Sequence, residues 1–297
     1  MTHYSNEWEN LINRENNKMK LSTKLTNEEY RAIDAISNGE LQQIANNPGD
    51  YIWNKNAPID ATKTAAFDFG TALHTALLEP EHFNDSVTIY GQTKTRESAA
   101  FGKFMETQDK NAIVLLESEY DKLRFTVDSA LAHPAFKAYI ESCEYKEVSI
   151  IGEYRGVKVK IRPDMCSNKL GIIGDLKSSA DLSDWRDSAR WKNPLFKLGY
   201  GHTAAFYMDV YQEYLGRPVN EYTFLVCQKS INCGKYPVAV IVITRDELEM
   251  YGFFDQVHAN IDTYKQCVES DDFNHVERFP IFSGFDDGLQ VSFEGDE

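Results

Sequence analysis

The sequence predicts an α/β protein in which a mixed central sheet is flanked by helices and preceded by a helical N-terminal portion. Residues 157–161 alternate apolar and charged side chains, and this period of two is typical of a half-buried strand. Residues 222–228 and 236–243 are rich in β-branched and aromatic side chains, so we expect them to form an antiparallel pair. Apolar residues recur at helical spacing in residues 118–131 and 198–215. The sequence contains no Gly-x-x-x-x-Gly-Lys phosphate loop, and ATP-driven motion is therefore not expected.

We expect one domain at residues 23–279, because no Pro/Gly/Ser-rich linker interrupts the middle of the chain. Residues 1–22 are polar and predict a mobile lead or a short amphipathic helix, and residues 280–297 predict an acidic C-terminal tail. Thr26, which is followed by a glutamate three positions later, and Ser37 are expected to cap the first two helices.

The remaining elements can be assigned in chain order. Residues 67–79 predict a helix that ends before a proline, and the polar residues 91–111 predict a loop that leads into a helix. Residues 147–154 predict a strand that the Arg155-Gly156 turn connects to the alternating strand, forming a hairpin. Residues 245–268 predict one long amphipathic helix.

The charge balance is unusual for a protein that binds nucleic acid. There are 31 Lys and Arg residues against 46 Asp and Glu residues, which gives a formal net charge of −15. A DNA-binding protein usually shows a basic footprint. Net charge does not describe how the charges are distributed, however, and many of the acids lie close to the C-terminus. The charge is therefore a mild objection to a nucleic-acid partner.

The cysteines and the N-terminus narrow the class of protein further. The five cysteines are scattered and form no Cys-x-x-Cys pair, which argues against a zinc site or an iron–sulfur cluster. No basic-then-apolar signal and no run of eighteen apolar residues occurs. We therefore expect a cytoplasmic protein with reduced thiols.

Two aspartates and a lysine are candidates for a metal site. Asp164 directly follows Pro163, where the alternating strand ends, and Asp175 and Lys177 lie in the short β-branched run at residues 172–178. Side chains two apart on a strand point to the same face, so the second aspartate and the lysine project together. Hard cations such as Mg²⁺ bind carboxylate oxygens, and such a cation beside a lysine suits phosphodiester hydrolysis. A lone Asp-x-Lys is more often a surface ion pair, and that alternative stays open on spacing alone.

The pattern of Asp164 followed by Asp175-x-Lys177 resembles the PD-(D/E)xK nuclease core found in RecB-like and RecE-like (exonuclease VIII) enzymes. A second stretch, residues 56–74, closely resembles the segment that carries the active-site histidine in the RecE exonuclease domain, and His74 matches that histidine. Without this resemblance, a histidine beside an apolar helix face would more often be a core residue.

The resemblance runs from about residue 25 to about residue 278, with the motifs in the family's order. It implies a restriction-endonuclease-like fold and a site for Mg²⁺, for which Mn²⁺ is expected to substitute. His74, Asp164 and Asp175 would hold the metal. Lys177 would orient the attacking water or stabilise the phosphate in the transition state, and a lysine beside two carboxylates is expected to stay protonated.

Further side chains are candidates for contacts around the site. Arg162 is expected on the same strand face as Asp164, where it could bind a phosphate, and Tyr200 suits either a phosphate contact or core packing. RecB-like enzymes often carry a glutamine where this chain has Thr203. Glu147 suits either metal binding or a solvated strand edge, and we favour the edge.

The resemblance implies a Mg²⁺-dependent exonuclease that digests linear double-stranded DNA ends 5′→3′ and leaves 3′ single-stranded overhangs. The resemblance also implies a partner, a RecT-like single-strand annealing protein, and assembly into a ring-shaped homo-oligomer. It further implies that the protein comes from a phage or prophage and acts in a bacterial cytoplasm. The alternatives are a DNA-binding module of the same fold with a degenerate site, or a RecB-like nuclease of other polarity.

Overall fold

The computed structural model describes residues 19–57, 65–109, 112–232 and 234–273. Its strands are β1 (Met19–Ser22), β2 (Val87–Tyr90), β3 (Ile113–Leu116), β4 (Tyr145–Lys146), β5 (Ser149–Tyr154), β6 (Val157–Ile161), β7 (Met165–Ser167), β8 (Ile172–Ser179), β9 (Glu221–Gln228) and β10 (Val238–Thr244). Its helices are α1 (Asn27–Ala32), α2 (Asn38–Asn46), α3 (Pro48–Asn56), α4 (Ala65–Leu78), α5 (Phe83–Ser86), α6 (Ala99–Met105), α7 (Glu117–Ala132), α8 (Pro134–Ser142), α9 (Pro194–Lys197), α10 (Tyr200–Leu215), α11 (Arg245–Met250) and α12 (Phe253–Ser270). None of the helices in these ranges is long and apolar enough to cross a membrane.

The central sheet has five strands in the order β10-β9-β8-β7-β4. Strands β8 and β9 are parallel, whereas the other neighbours are antiparallel, so the sheet is mixed as predicted. A second sheet has the order β1-β5-β6, and a short parallel pair joins β2 to β3. The hairpin β5–β6 leads through residues 162–164 directly into β7 of the central sheet. The same stretch of chain therefore connects the two larger sheets.

Side chains of the central sheet alternate between two apolar cores. Ile173 packs into the core on the side of α10, and Leu176 packs into the core built with α4, α7 and α8. Because alternate residues of a strand share a face, Asp175 and Lys177 lie on the same face as Ile173. The helix α10 and the hairpin sheet thus cover the face that carries these two charges.

The caps of the first two helices are those that the sequence predicts. The Thr26 hydroxyl accepts from the Glu29 amide, and the Ser37 hydroxyl accepts from the Glu40 amide. Each glutamate side chain in turn accepts from the amide of the capping residue, which completes a capping box. These local contacts satisfy amides that no helical carbonyl can reach.

The expected mobile lead is wrong at its C-terminal end. Residues Met19–Ser22 form β1, which pairs antiparallel with β5, and the Met19 side chain is buried in the main core. A four-residue strand thus forms at the end of the polar segment 1–22, because it pairs with β5. Residues 1–18 and the predicted tail at 280–297 lie outside the described residues.

Two further elements differ from the prediction because of single backbone positions. The helix predicted at residues 245–268 is divided into α11 and α12 at Gly252, which has a φ of 75° in the left-handed region. The strand predicted at residues 147–154 begins at Ser149, because Glu147 has a φ of 51° and interrupts the extended backbone. The preceding strand β4 consequently belongs to the other sheet.

His202 on α10 is buried between two asparagine side chains. Its Nδ1–H donates to Asn38 Oδ1 at 2.8 Å, and its Nε2 accepts from Asn260 Nδ2 at 2.9 Å. The Asn38 amide is oriented by its donation to Thr203 Oγ1 at 2.9 Å. Both ring nitrogens are thus satisfied in the neutral form, and burial lowers the pKa of His202 to about 4.

We expect His202 to lower the free energy of unfolding as the pH is lowered from about 7 to about 5. The unfolded chain protonates His202 near its ordinary pKa of about 6.5, whereas the folded imidazole stays neutral down to about 4. The stability that this residue contributes is therefore fully present above the unfolded pKa, and it is lost by at most about 1.4 kcal/mol per pH unit below it. Urea unfolding of the wild type and of His202→Gln at both pH values measures the effect. The variant should show a smaller fall, and an equal fall in both proteins would contradict this account.

Candidate active site

The antiparallel pairing of β7 with β8 brings Asp164 beside Asp175 and Lys177. Asp164 immediately precedes β7, and its Oδ2 accepts from the Leu176 amide on β8 at 2.7 Å. Both carboxylates are buried, with 9 % and 3 % of the residue exposed for Asp164 and Asp175. Buried carboxylates are costly unless they are paired or bind a cation. The two aspartates that the sequence singles out thus occupy one buried site.

His74 reaches the same point from helix α4. Its Nε2 lies 2.9 Å from the carbonyl oxygen of Leu176, and because a carbonyl only accepts, Nε2 carries the proton. Nδ1 therefore faces the carboxylates, at 3.4 Å from Glu147 Oε1 and 3.5 Å from Asp164 Oδ2. The main chain of Leu176 thus orients both the histidine and the aspartate.

Glu147 belongs to this site, and the favoured assignment to a solvated strand edge is wrong. Its side chain is 23 % exposed, and its amide donates to the Asp164 carbonyl at 3.0 Å. A sequence signal for this placement exists in the predicted hairpin. Continuing its register from the pair Tyr154↔Val157 sets residue 147 directly opposite residue 164.

Three side chains offer ligand atoms for a cation. One atom each from His74, Glu147 and Asp164 lies within 4.8 Å of the other two. Asp175 is outside this group, and its Oδ2 instead pairs with Lys177 Nζ at 2.8 Å. Two carboxylates and an imidazole whose Nδ1 faces them fit a divalent cation such as Mg²⁺ or Mn²⁺, which would displace the Nδ1 proton. The donor set therefore fits the metal that the sequence predicts, with Glu147 added to it.

The charges of the site perturb one another strongly. Burial and the neighbouring Asp175 raise the pKa of Asp164. Burial alone would lower the pKa of His74, but the Asp164 and Glu147 carboxylates outweigh it and raise that pKa to about 9. Burial would likewise lower the pKa of Lys177, but Asp175 and Asp164 outweigh it and raise the pKa above its ordinary value. Lys177 therefore keeps its proton, which favours electrostatic stabilisation over a general-base role.

Arg162 is held by the main chain, whereas the sequence suggests a phosphate contact. Its Nε donates to the Glu147 carbonyl at 3.1 Å, and its two terminal nitrogens donate to the carbonyls of Thr26 and Leu25 at 3.3 and 3.0 Å. The side chain is 14 % exposed. Its geometry is that of a residue that fixes Glu147 and the N-terminal segment, and a phosphate would have to compete with these carbonyls.

Tyr200 begins helix α10 beside the lysine. Its ring centroid lies 5.2 Å from Lys177 Nζ and 5.6 Å from the centroid of the Trp185 ring, against which it stacks. A ring at this distance supports a cation through its π face. Thr203, where the related enzymes have glutamine, accepts from Asn38 and donates to the Gly199 carbonyl. The phosphate contact proposed for Tyr200 stays a prediction.

A comparison with protein families decides the classification. The model of the PDDEXK-like domain of unknown function, DUF3799, matches residues 37–275. The chain belongs to this family. The mixed sheet flanked by helices is accordingly the restriction-endonuclease-like fold that the sequence predicts.

A solved structure supports the same fold for this PDDEXK-like chain. It is the crystal structure named "Putative exonuclease" from Eubacterium rectale, with a TM-score of 0.56 and 17 % sequence identity. The match covers 89 % of this chain and 100 % of the other. No curated protein sequence matches the chain. The narrower RecE-like assignment stays a prediction.

We expect Glu147→Gln to weaken binding of Mn²⁺ by about tenfold or more, because the variant removes a charged ligand. The metal-free protein should be about as stable as the wild type, because the lost attraction to His74 is offset by relief of the repulsion of Asp164. Thermal unfolding with and without Mn²⁺ measures both effects, because a bound ligand raises the Tm of the folded state. Glu153→Gln, on the exposed end of the same hairpin, is the matched control. An undiminished Mn²⁺-induced rise in Tm for Glu147→Gln would show that Glu147 is not a ligand.

Proposed function

We propose that this PDDEXK-like chain is a divalent-cation-dependent deoxyribonuclease that hydrolyses phosphodiester bonds. The observation that carries the proposal is the convergence of His74, Glu147 and Asp164 within 4.8 Å, with the protonated Lys177 beside them. A structural module that only packs would have no need for this concentration of buried charge. The family match supports the same proposal, because the family is described as PDDEXK-like and Pro163-Asp164 followed by Asp175-x-Lys177 fits that motif.

The residues of the chain have separate tasks in this proposal. When bound, the cation supplies Lewis-acid stabilisation of the phosphate and lowers the pKa of a nearby water. His74, Glu147 and Asp164 would hold it, with Asp175 as a further ligand. Lys177 stabilises the negative charge that develops on the phosphate, and its pairing with Asp175 at 2.8 Å fixes the position of the ammonium group.

We further propose a RecE-like exonuclease that uses Mg²⁺, for which Mn²⁺ substitutes, and that digests linear duplex ends 5′→3′. The 3′ overhangs produced would serve a RecT-like single-strand annealing protein. The order of the motifs in the sequence supports this proposal, as does the similarity to a solved structure whose name includes exonuclease. A ring-shaped homo-oligomer and an origin in a phage or prophage of a bacterial cytoplasm belong to the same proposal.

A catalytically degenerate DNA-binding module is the second candidate. The presence of Thr203 in place of the glutamine of related enzymes favours it, because no side-chain amide is supplied at that position of α10. The complete set of His74, Asp164, Asp175 and Lys177 favours the nuclease.

We expect the wild type to shorten linear duplex DNA in Mg²⁺, to leave it intact in EDTA, and to spare closed circular DNA. Asp175→Ala should lower kcat by about 10²-fold or more, because Lys177 loses its partner and the cation loses a ligand. Gel analysis of duplexes labelled at the 5′ or the 3′ end gives rate and polarity together, and Glu153→Ala serves as the control.

Each result separates the candidates. DNA that is bound but uncut by the wild type in Mg²⁺ would favour the degenerate module. Cleavage of closed circles at the rate of linear DNA would indicate an endonuclease. Cutting by Asp175→Ala at the wild-type rate would remove Asp175 from the mechanism.

A further inference from the structure

An exposed tryptophan lies on a loop that follows strand β8, which carries Asp175 and Lys177. The Trp191 loop (residues 186–193) connects the short 3-10 turn Leu182–Arg186 to helix α9, and 72 % of Trp191 is exposed. Large aromatic side chains usually bury most of their surface, so an indole held in water is an informative exception. Most of this indole therefore contributes nothing to the packing of the described structure.

The loop that carries the indole has a defined conformation. Asn193, which is buried, donates from Nδ2 to the carbonyls of Trp185 and Asp187 at 3.3 and 3.0 Å. Its Oδ1 accepts from the Leu195 amide at 3.0 Å and so caps α9. Within the loop, the Asp187 carboxylate accepts from the Ala189 amide at 2.9 Å. The buried side-chain amide of Asn193 thus holds both ends of the loop together, and Trp191 lies on a loop of defined backbone conformation.

The base of the loop is in contact with the active site. Trp185, at the loop's origin, stacks on Tyr200 with 5.6 Å between centroids, and the Tyr200 ring lies 5.2 Å from Lys177 Nζ. The Trp185 and Tyr200 rings thus connect the start of the loop to Lys177. The Trp191 loop therefore begins at the edge of the candidate site.

The same segment is basic in a strongly acidic chain. The loop and α9 contain a single acid, Asp187, and four cations, at Arg186, Arg190, Lys192 and Lys197. Arg186, Arg190 and Lys197 are exposed, and within the described residues none of the three forms an ion pair. Lys192 pairs with Asp187 at 3.2 Å, and its Nζ lies 5.0 Å from the Trp191 ring. A chain with a formal charge of −15 thus concentrates positive charge in the segment that begins at the edge of its candidate active site, and Arg190 also lies over the Phe196 ring at 5.0 Å.

An exposed aromatic ring among cations has the chemistry of a platform for single-stranded nucleic acid. Bases stack on aromatic side chains whatever their sequence, while Lys and Arg contact the backbone phosphates. We propose that Trp191 stacks on an unpaired base of the DNA strand at the active site, with Arg186, Arg190 and Lys197 contacting its phosphates. This inference rests on the proposed nuclease function and names the part of the substrate that this loop recognises.

Binding is measured in the Asp175→Ala background, in which the DNA is expected to stay uncut. Fluorescence anisotropy reports the affinity for short single-stranded oligonucleotides. One oligonucleotide is intact, and each of the others carries an abasic site at a different position. In this background, adding Trp191→Ala should weaken binding of the intact oligonucleotide by about tenfold, which corresponds to about 1.4 kcal/mol. Trp191→Phe should retain most of the affinity, because a smaller ring still stacks. Trp53→Ala on α3, where the indole is 70 % exposed, is the matched control and should bind as the parent does.

The abasic series tests the stacking contact itself. One abasic position should weaken binding to the parent about tenfold and should have little further effect on binding to the Trp191→Ala protein, because both changes remove the same contact. In the otherwise wild-type enzyme, Trp191→Ala should raise KM and leave kcat within about twofold, as expected for loss of uniform binding.

The failures of the two proposals are distinguishable. If the wild type cuts DNA but Trp191→Ala binds and cuts as the wild type does, the stacking inference alone is wrong. If Trp191→Ala changes the sedimentation mass, the loop is a subunit contact and the inference is likewise overturned. If the wild type neither binds nor cuts DNA, the proposed function itself fails.

Discussion

The arrangement of the site depends on the two main-chain groups of Leu176. Strand β7 pairs with β8 only as far as Met165↔Gly174, so beyond that register this edge of β8 has no strand neighbour among the residues that the structure describes. The Leu176 amide instead donates to Asp164 Oδ2, and its carbonyl accepts from His74 Nε2. The end of a short strand thus frees the hydrogen-bonding groups that orient two of the proposed ligands.

The same residue separates Asp175 from Lys177 and fixes their direction. Leu176 is fully buried in the core against α4, α7 and α8, so its neighbours must point to the opposite face. The parallel pairing of Asp175 with Phe224 and of Lys177 with Val226 prevents β8 from slipping. A shift of one residue would bury the two charges in the apolar core against α4, α7 and α8 and would turn Leu176 to the face that α10 covers. The burial of Leu176 and the pairing of β8 with β9 therefore set both the register of the sheet and the direction of the two charged side chains.

The hairpin supplies the remaining ligand through a break in its regular structure. Glu147 lies opposite Asp164 in the extended register, but its φ of 51° turns the chain between the two sheets and directs the carboxylate toward His74. Arg162 binds the carbonyl of Glu147 and two carbonyls of the N-terminal segment, which holds this break in place. Backbone strain at such a position is commonly retained where it orients a functional group.

Much of this arrangement could be predicted from the sequence, since local rules determine the capped helices, the β8–β9–β10 strands and the shared face of Asp175 and Lys177. What could not be predicted depends on long-range pairing. Strand β1 has four residues in which apolar and polar side chains alternate, but it is too short to be recognised without its partner β5. The role of Arg162 depends on carbonyls more than a hundred residues earlier in the chain, which no periodicity indicates.

The most direct test of this account is a crystal structure of the protein with Mn²⁺, in which anomalous scattering locates the ion. The account predicts an ion within about 2.5 Å of His74 Nδ1 and Asp164 Oδ2, with His74 Nε2 still hydrogen-bonded to the Leu176 carbonyl. An ion bound to Nε2, or one located away from these residues, would contradict the orienting role assigned to Leu176.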